Sequence, residues 1–215
     1  MQTSPEPPNP EVDASTLPGQ GLTKEEAFFR ILDGHWRYLE NRRKAQTTTA
    51  EDRQRHAQGQ YPFAALLGCA DSRVSPELIF DQGQGDLFVV RVAGNVVGDS
   101  ELGSLDYAVE HLGVKLVLVM GHEQCGAVKA ALESSDVPGA IGRLLHKIAP
   151  AASEARQMSG NLLANAVRCN VRQSVENLVA HSDCVRNAVE SGSIRVIGLV
   201  YDLGTGDLDI QVKVG

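Results

Sequence analysis

Two apolar runs, Phe63 to Gly68 and Val114 to Met120, constrain this chain most, because each is followed at once by a cluster of chemistry-bearing residues. A short continuous apolar run that gives way to a turn and then a helical pattern reads as a strand buried on both faces, as in parallel sheets. The first run delivers Cys69-Ala70-Asp71-Ser72-Arg73-Val74, the second Gly121-His122-Glu123-Gln124-Cys125-Gly126. Both clusters therefore fall at the carboxyl ends of strands, where open α/β sheets bind their ligands.

The rest of the chain extends this pattern. Thr23 and Glu26 form a capping-box pair ahead of Phe28, Phe29, Ile31, Leu32, Trp36 and Leu39. That helical stripe is interrupted at Gly34, which predicts one bent helix or two short ones. The polar stretch Gln46 to Gly59 reads as mostly irregular, with room for a helical turn or two over Glu51 to His56. Pro76 suits the first turn of a short helix, and Leu87 to Val92 forms a second strand after the Gly83-Gln84-Gly85 turn. Ser100 to Leu112 is a helix closed by Gly113, and Gln124 to Leu132 starts another directly from the second cluster. Ile141, Leu144, Leu145 and Ile148 mark a helix that should stop at Pro150. A long stripe from Leu162 through Leu178 and Val179 is expected to run on toward Val189. Ile194 to Tyr201 and Leu208 to Val214 close the chain as a hairpin. The predicted fold class is α/β: a mostly parallel central sheet, four parallel strands plus an antiparallel edge strand, flanked by helices, with an N-terminal helical arm.

A length of 215 residues suits one domain, placed at residues 22–215. Residues 1–21, with Pro5, Pro7, Pro8, Pro10 and Pro18 among polar residues, read as a disordered tail. Lys plus Arg number 20 against 27 for Asp plus Glu, and the net charge of -7 without a basic stripe excludes nucleic acid as a partner. No apolar stretch reaches the length of a membrane span, and the first residues carry neither a basic start nor an apolar segment. The expectation is a soluble, cytoplasmic protein. Four cysteines are too few for a disulfide framework at this size, which fits a reducing compartment.

Cys69, His122 and Cys125 supply two soft thiolates and one imidazole, a ligand set that suits zinc. His122 and Cys125 stand three apart at a predicted helix start, about 5–6 Å between Cβ atoms, so one ion can take both. Cys169 and Cys184 lack a third ligand at a strand end and are read as ordinary packing, despite His181 three residues before Cys184. Asp71 and Arg73 have two possible jobs. If Asp71 joins the trio the site is a closed tetrahedron; if it pairs with Arg73 the fourth position is open to water, as an enzyme requires.

At this point three stretches, C-A-D-S-R-V, F-V-V-R-V-A-G-N from Phe88 to Asn95, and G-H-E-Q-C-G-A, resemble the β-class carbonic anhydrases from Lys24 to the C-terminus. The resemblance implies one zinc per chain on Cys69, His122 and Cys125, a catalytic Asp71–Arg73 dyad, and interconversion of carbon dioxide and bicarbonate. It also implies a homodimer or dimer of dimers, with N-terminal helices reaching over the partner. In plant-type members a Gln, a Phe and a Tyr line the substrate pocket, the latter two from the partner chain; the matching positions are Gln60, Phe88 and Tyr107. The other subgroup has a Trp three residues before the first zinc cysteine, as part of an inhibitory bicarbonate pocket. Leu66 stands there, so that pocket is not expected. The rival readings are a carbonyl sulfide or carbon disulfide hydrolase on the same scaffold, or a closed zinc protein without catalysis.

Overall fold

The structure, a computed structural model, describes residues 21–44, 48–134 and 137–215, so the proline-rich tail lies almost wholly outside the described residues. Five strands form one sheet in the order β2-β1-β3-β4-β5. They are β1 (Ala64–Gly68), β2 (Leu87–Arg91), β3 (Leu116–His122), β4 (Arg195–Tyr201) and β5 (Leu208–Val214). The first four run parallel, and β5 pairs antiparallel with β4 through a bulge at Gly198/Leu199.

Both faces of the central strands are buried, which is why their sequences read as unbroken apolar runs. The alternation of side chains still sorts them into two cores. Ala64 and Leu66, with Leu116, Leu118 and Met120, pack on one side with Ile31, Phe63, Phe80 and Ile148. Ala65, Leu67, Val117 and Val119 pack on the other with Leu105, Ala108, Leu178 and Val185.

The helices settle two open readings and depart from expectation at two places, each for a local reason. Helix α1 (Lys24–Leu39) is a single helix that passes through Gly34. The glycine serves close approach: a Cβ there would lie 1.8 Å from the Phe80 carbonyl oxygen. Helix α2 (Ala50–His56) occupies part of the stretch read as irregular, started by a Thr49–Asp52 capping box. After the short α3 (Pro76–Ile79) come α4 (Asp99–Glu110), α5 (Gly126–Glu133) and α6 (Gly139–Ala155).

Helix α6 does not stop at Pro150. Proline removes its own N–H, a cost of about 3 kcal/mol in a helix interior. Against it stand Leu145 and Ile148 before, and Ala151, Ala152 and Ala155 after, all buried on one face while Pro150 points outward. The long stripe after Leu162 is two helices, α7 (Leu162–His181) and α8 (Asp183–Glu190). Ser182 leaves helical geometry between them, and its hydroxyl accepts the Val185 N–H at 2.9 Å as the cap of α8. No described helix is long and apolar enough to cross a membrane.

Candidate metal centre

Cys69 is the first residue after β1, His122 the last residue of β3, and Cys125 the N-cap of α5. The histidine is therefore carried by a strand end and not by a helix start. A tight turn through Gln124, at φ +52°, folds Cys125 back beside it. Parallel pairing of Gly68 with Met120 sets the two strand ends side by side and brings Cys69 to the pair.

The ligand atoms of Cys69, His122 and Cys125 lie within 4.8 Å of one another, and all three residues are buried. The two sulfurs are 4.0 Å apart. Two sulfurs about 2.3 Å from one tetrahedral ion would be separated by roughly 3.8 Å, so the spacing fits a shared ion. His122 Nδ1 contacts the Glu123 carbonyl oxygen at 2.8 Å, which makes Nδ1 the donor and leaves Nε2 with its lone pair. Nε2 is buried without a partner, as a metal-ligand nitrogen would be. Among the described residues this is the one such cluster of His, Cys and acidic side chains.

The thiols and imidazole perturb one another strongly. The hydrogen bond from Cys125 holds the Cys69 thiol well below its ordinary range, assisted by His122 and the Gly94 N–H and opposed by burial. Sharing that proton with Cys69, together with burial, pushes Cys125 up. Burial alone would lower His122, but the Cys69 thiolate, the Glu123 carbonyl and the Asp71 carboxylate together raise it. An ion entering the trio displaces these protons, so its binding is tied to pH.

Asp71 is turned to Arg73. Arg73 donates from Nε to Asp71 Oδ1 at 2.9 Å, from Nη2 to Oδ2 at 2.7 Å, and from its backbone N–H to Oδ1 at 2.9 Å. These bonds hold the Asp71 carboxyl far below the usual carboxylate range. Oδ2 remains 3.7 Å from His122 Nε2, beside the trio.

Two residues that the sequence did not single out complete the site. Arg91, at the end of β2, donates to the carbonyl oxygens of Cys69 at 2.9 Å and Asp71 at 2.6 Å and so clamps the turn that carries both. The Gly94 N–H donates to Cys69 Sγ at 3.3 Å. Both lie within the F-V-V-R-V-A-G-N stretch, but nothing in its periodicity marks a residue that grips backbone.

Gln60 is exposed in the loop before β1. The rings of Phe88 and Tyr107 meet at 6.3 Å between centroids. Phe88 packs against the core formed by Ala65, Leu67 and Leu105, whereas Cys69 and Cys125 belong to the core on the other side of the sheet. Cys169 is buried and Cys184 half-buried, both free and both in helices, with thiols raised chiefly by burial.

A family model described as carbonic anhydrase matches residues 64–208. The carbonic anhydrase 2 of Mycobacterium tuberculosis is 36% identical over 193 residues, covering 88% of this chain and 93% of its own length. A carbonic anhydrase of Pseudomonas aeruginosa is 36% identical over 191 residues, covering 83% and 85%. Among solved structures, a Coccomyxa β-carbonic anhydrase in complex with acetazolamide superposes with a TM-score of 0.68 at 33% identity, covering 75% of this chain and 77% of its own. One of two tetrameric β-carbonic anhydrases from Sordaria macrospora gives 0.68 at 25% identity, covering 75% and 87%.

Proposed function

The chain belongs to the β class of the carbonic anhydrases, and on that premise we propose that Cys69, His122 and Cys125 hold one zinc ion per chain beside a working Asp71–Arg73 dyad. The reaction is the reversible hydration of carbon dioxide to bicarbonate and a proton. Zinc suits two thiolates and an imidazole, and when bound it acidifies a water and offsets charge developing on the substrate oxygens.

One observation carries the reading: the Asp71 carboxylate is held by Arg73 and does not turn into the trio, which leaves the fourth direction to water. An ionised carboxylate can only accept hydrogen bonds. Asp71 Oδ2, the oxygen beside the trio, therefore accepts from the attacking water and directs that water's free lone pair toward carbon dioxide. Arg73 fixes the carboxylate's plane through its two parallel bonds, and Arg91 fixes the backbone beneath it. In the reverse direction the same oxygen accepts the bicarbonate hydroxyl, so an anion with no proton to donate is disfavoured there.

Phe88, Tyr107 and Gln60 are assigned to the substrate pocket, with the two aromatic residues serving the neighbouring protomer of a homo-oligomer. The place of Phe88 on the other core, with Tyr107 against its ring, supports this, as does β2 itself, an edge strand whose Leu87, Phe88, Val89 and Val90 are only half-buried. Phe29 and Trp36, 69% and 58% exposed on α1, add apolar surface of the kind a second copy would cover.

The test is stopped-flow carbon dioxide hydration over about pH 6.5 to 9 on protein of known zinc content. One zinc per chain, with activity that vanishes when the metal is stripped and returns when it is restored, is the expected result. Stoichiometric zinc with no hydration at any pH refutes the proposal.

A further inference from the structure

Asn170 lies on α7, 1% exposed, between Val167 and Val171, which belong to the apolar core. Its Nδ2 donates to the Gly94 carbonyl oxygen at 2.8 Å, while its Oδ1 is buried without a partner. An amide satisfied at one end is a poor way to fill a core: an unpaired buried acceptor forfeits about 1–3 kcal/mol. A leucine of similar size would avoid that loss, so packing does not account for the asparagine. Its one bond does.

That bond ends on the residue whose N–H reaches the Cys69 sulfur at 3.3 Å. Gly94 sits at φ +70°, and a Cβ there would lie 2.7 Å from Ile148 Cδ1 and 3.3 Å from Ala127 Cβ. No side chain can anchor this position, so its N–H is held in place through the backbone on either side, and the peptide that follows Gly94 is gripped twice. Within the turn, the Asn95 N–H bonds the Val92 carbonyl oxygen at 3.0 Å. From outside, Asn170 takes the Gly94 carbonyl. Without Asn170 that carbonyl is left unpaired in the interior, and a glycine has the backbone freedom to rotate toward another donor and carry its N–H off the sulfur.

Resting on the metal reading above, we infer that Asn170 is a positioning residue for the metal centre: it holds the peptide that follows Gly94, and through the Gly94 backbone the preceding N–H that donates to Cys69 Sγ, and so sets how strongly that thiolate donates to the ion. An N–H···S bond draws electron density from sulfur. Its loss makes the thiolate a stronger donor and leaves its orientation less fixed. Asn170 touches neither ion nor substrate and acts only through Gly94, in the manner of the outer-shell partners that hold metal ligands elsewhere.

The experiment uses the full-length protein loaded with cobalt(II) in place of zinc, read by its sulfur-to-cobalt charge-transfer absorption, and the zinc form read by release of metal to a chelator. Asn170→Ala is expected to move the charge-transfer band to lower energy and to release zinc about 10-fold faster, the lower end of outer-shell effects. Asn170→Leu, which keeps the volume, stands in if the alanine variant does not fold. Asn165 is the control, a second buried asparagine on α7, whose Nδ2 donates to the Ser159 carbonyl oxygen at 3.0 Å. Asn165→Ala should lower the melting temperature and leave band and release rate in place. A folded Asn170 variant with both readouts unchanged overturns the inference, and so does an Asn165→Ala protein that shifts both equally. Wild-type protein that takes up no cobalt or zinc refutes the metal reading, and this one with it.

Discussion

Replacing Asp71 by asparagine alters charge and proton count at the site while leaving its volume almost unchanged. In the native arrangement the carboxylate accepts three bonds, two on Oδ1 and one on Oδ2. Asparagine has one acceptor oxygen. If that oxygen keeps the two bonds at the Oδ1 position, the amide nitrogen faces Arg73 Nη2 donor to donor. It also presents N–H groups where Oδ2 had accepted from the attacking water. The orienting bond is thus reversed in polarity as well as weakened. A positioned acid–base group contributes about 10²–10⁴ in rate, or roughly 2.7–5.4 kcal/mol of barrier at 1.36 kcal/mol per decade. Stopped-flow hydration, with metal content determined on the same sample, should show kcat/KM lower by at least about 100-fold at one zinc per chain. Zinc is expected to stay because the three proposed ligands are untouched. The pH profile carries a second check. The folded-state carboxyl is depressed by its Arg73 bonds, so the pair's contribution is fully present above the ordinary carboxylate pKa of about 4 and is lost only in stronger acid. Wild type and variant should therefore run parallel between about pH 6.5 and 9, offset in height. Activity within threefold of wild type, with zinc bound, would remove Asp71 from the mechanism.

Cys69→Ala deletes the proposed ligand at the end of β1, and should yield protein with no bound zinc by elemental analysis and a lower melting temperature; a stable, zinc-loaded variant would take Cys69 out of the site. Gly34→Ala places a methyl group 1.8 Å from the Phe80 carbonyl oxygen and 2.7 Å from Gln82 Nε2, so α1 must lift from the turn after α3. Overpacking of this kind costs about 1–3 kcal/mol or more, and urea unfolding that shows no loss would mean the contact is not as close as described.

The metal trio was legible because thiolates and imidazole are rare at strand ends and their chemistry names a ligand. The sheet was legible because Leu66, Leu67, Val117 and Leu118 are buried regardless of which face they point to. The departures share a different origin. The stop at Pro150 and the unbroken stripe toward Val189 both come from local pattern alone. Pro150 is overridden by the buried face on both sides of it, whereas an N-cap bond at Ser182 ends a stripe that apolar spacing alone would have continued. Gly34 reads as an interruption until the carbonyl of Phe80, 46 residues on (80 − 34), is seen against it. Arg91, Gly94 and Asn170 act on backbone atoms of distant residues, a relation with no sequence period. The choice between Asp71 on Arg73 and Asp71 among the ligands depends on a side-chain direction that no residue type encodes.

The proposed ligands straddle the seam between β1 and β3, and between Cys69 and His122 the chain builds α3, β2 and α4 before it returns. Of the trio, the unfolded chain thus holds just His122 and Cys125 close together. The third ligand arrives when two parallel strands dock across a long loop, a slow, non-local event. In the proposed zinc form, full coordination of the ion therefore waits for β1 and β3 to pair. An ion that prefers the finished pocket then works as a latch, since by mass action it withdraws molecules from the unfolded pool. How long a newly made chain waits unlatched becomes a matter of how much free metal surrounds it.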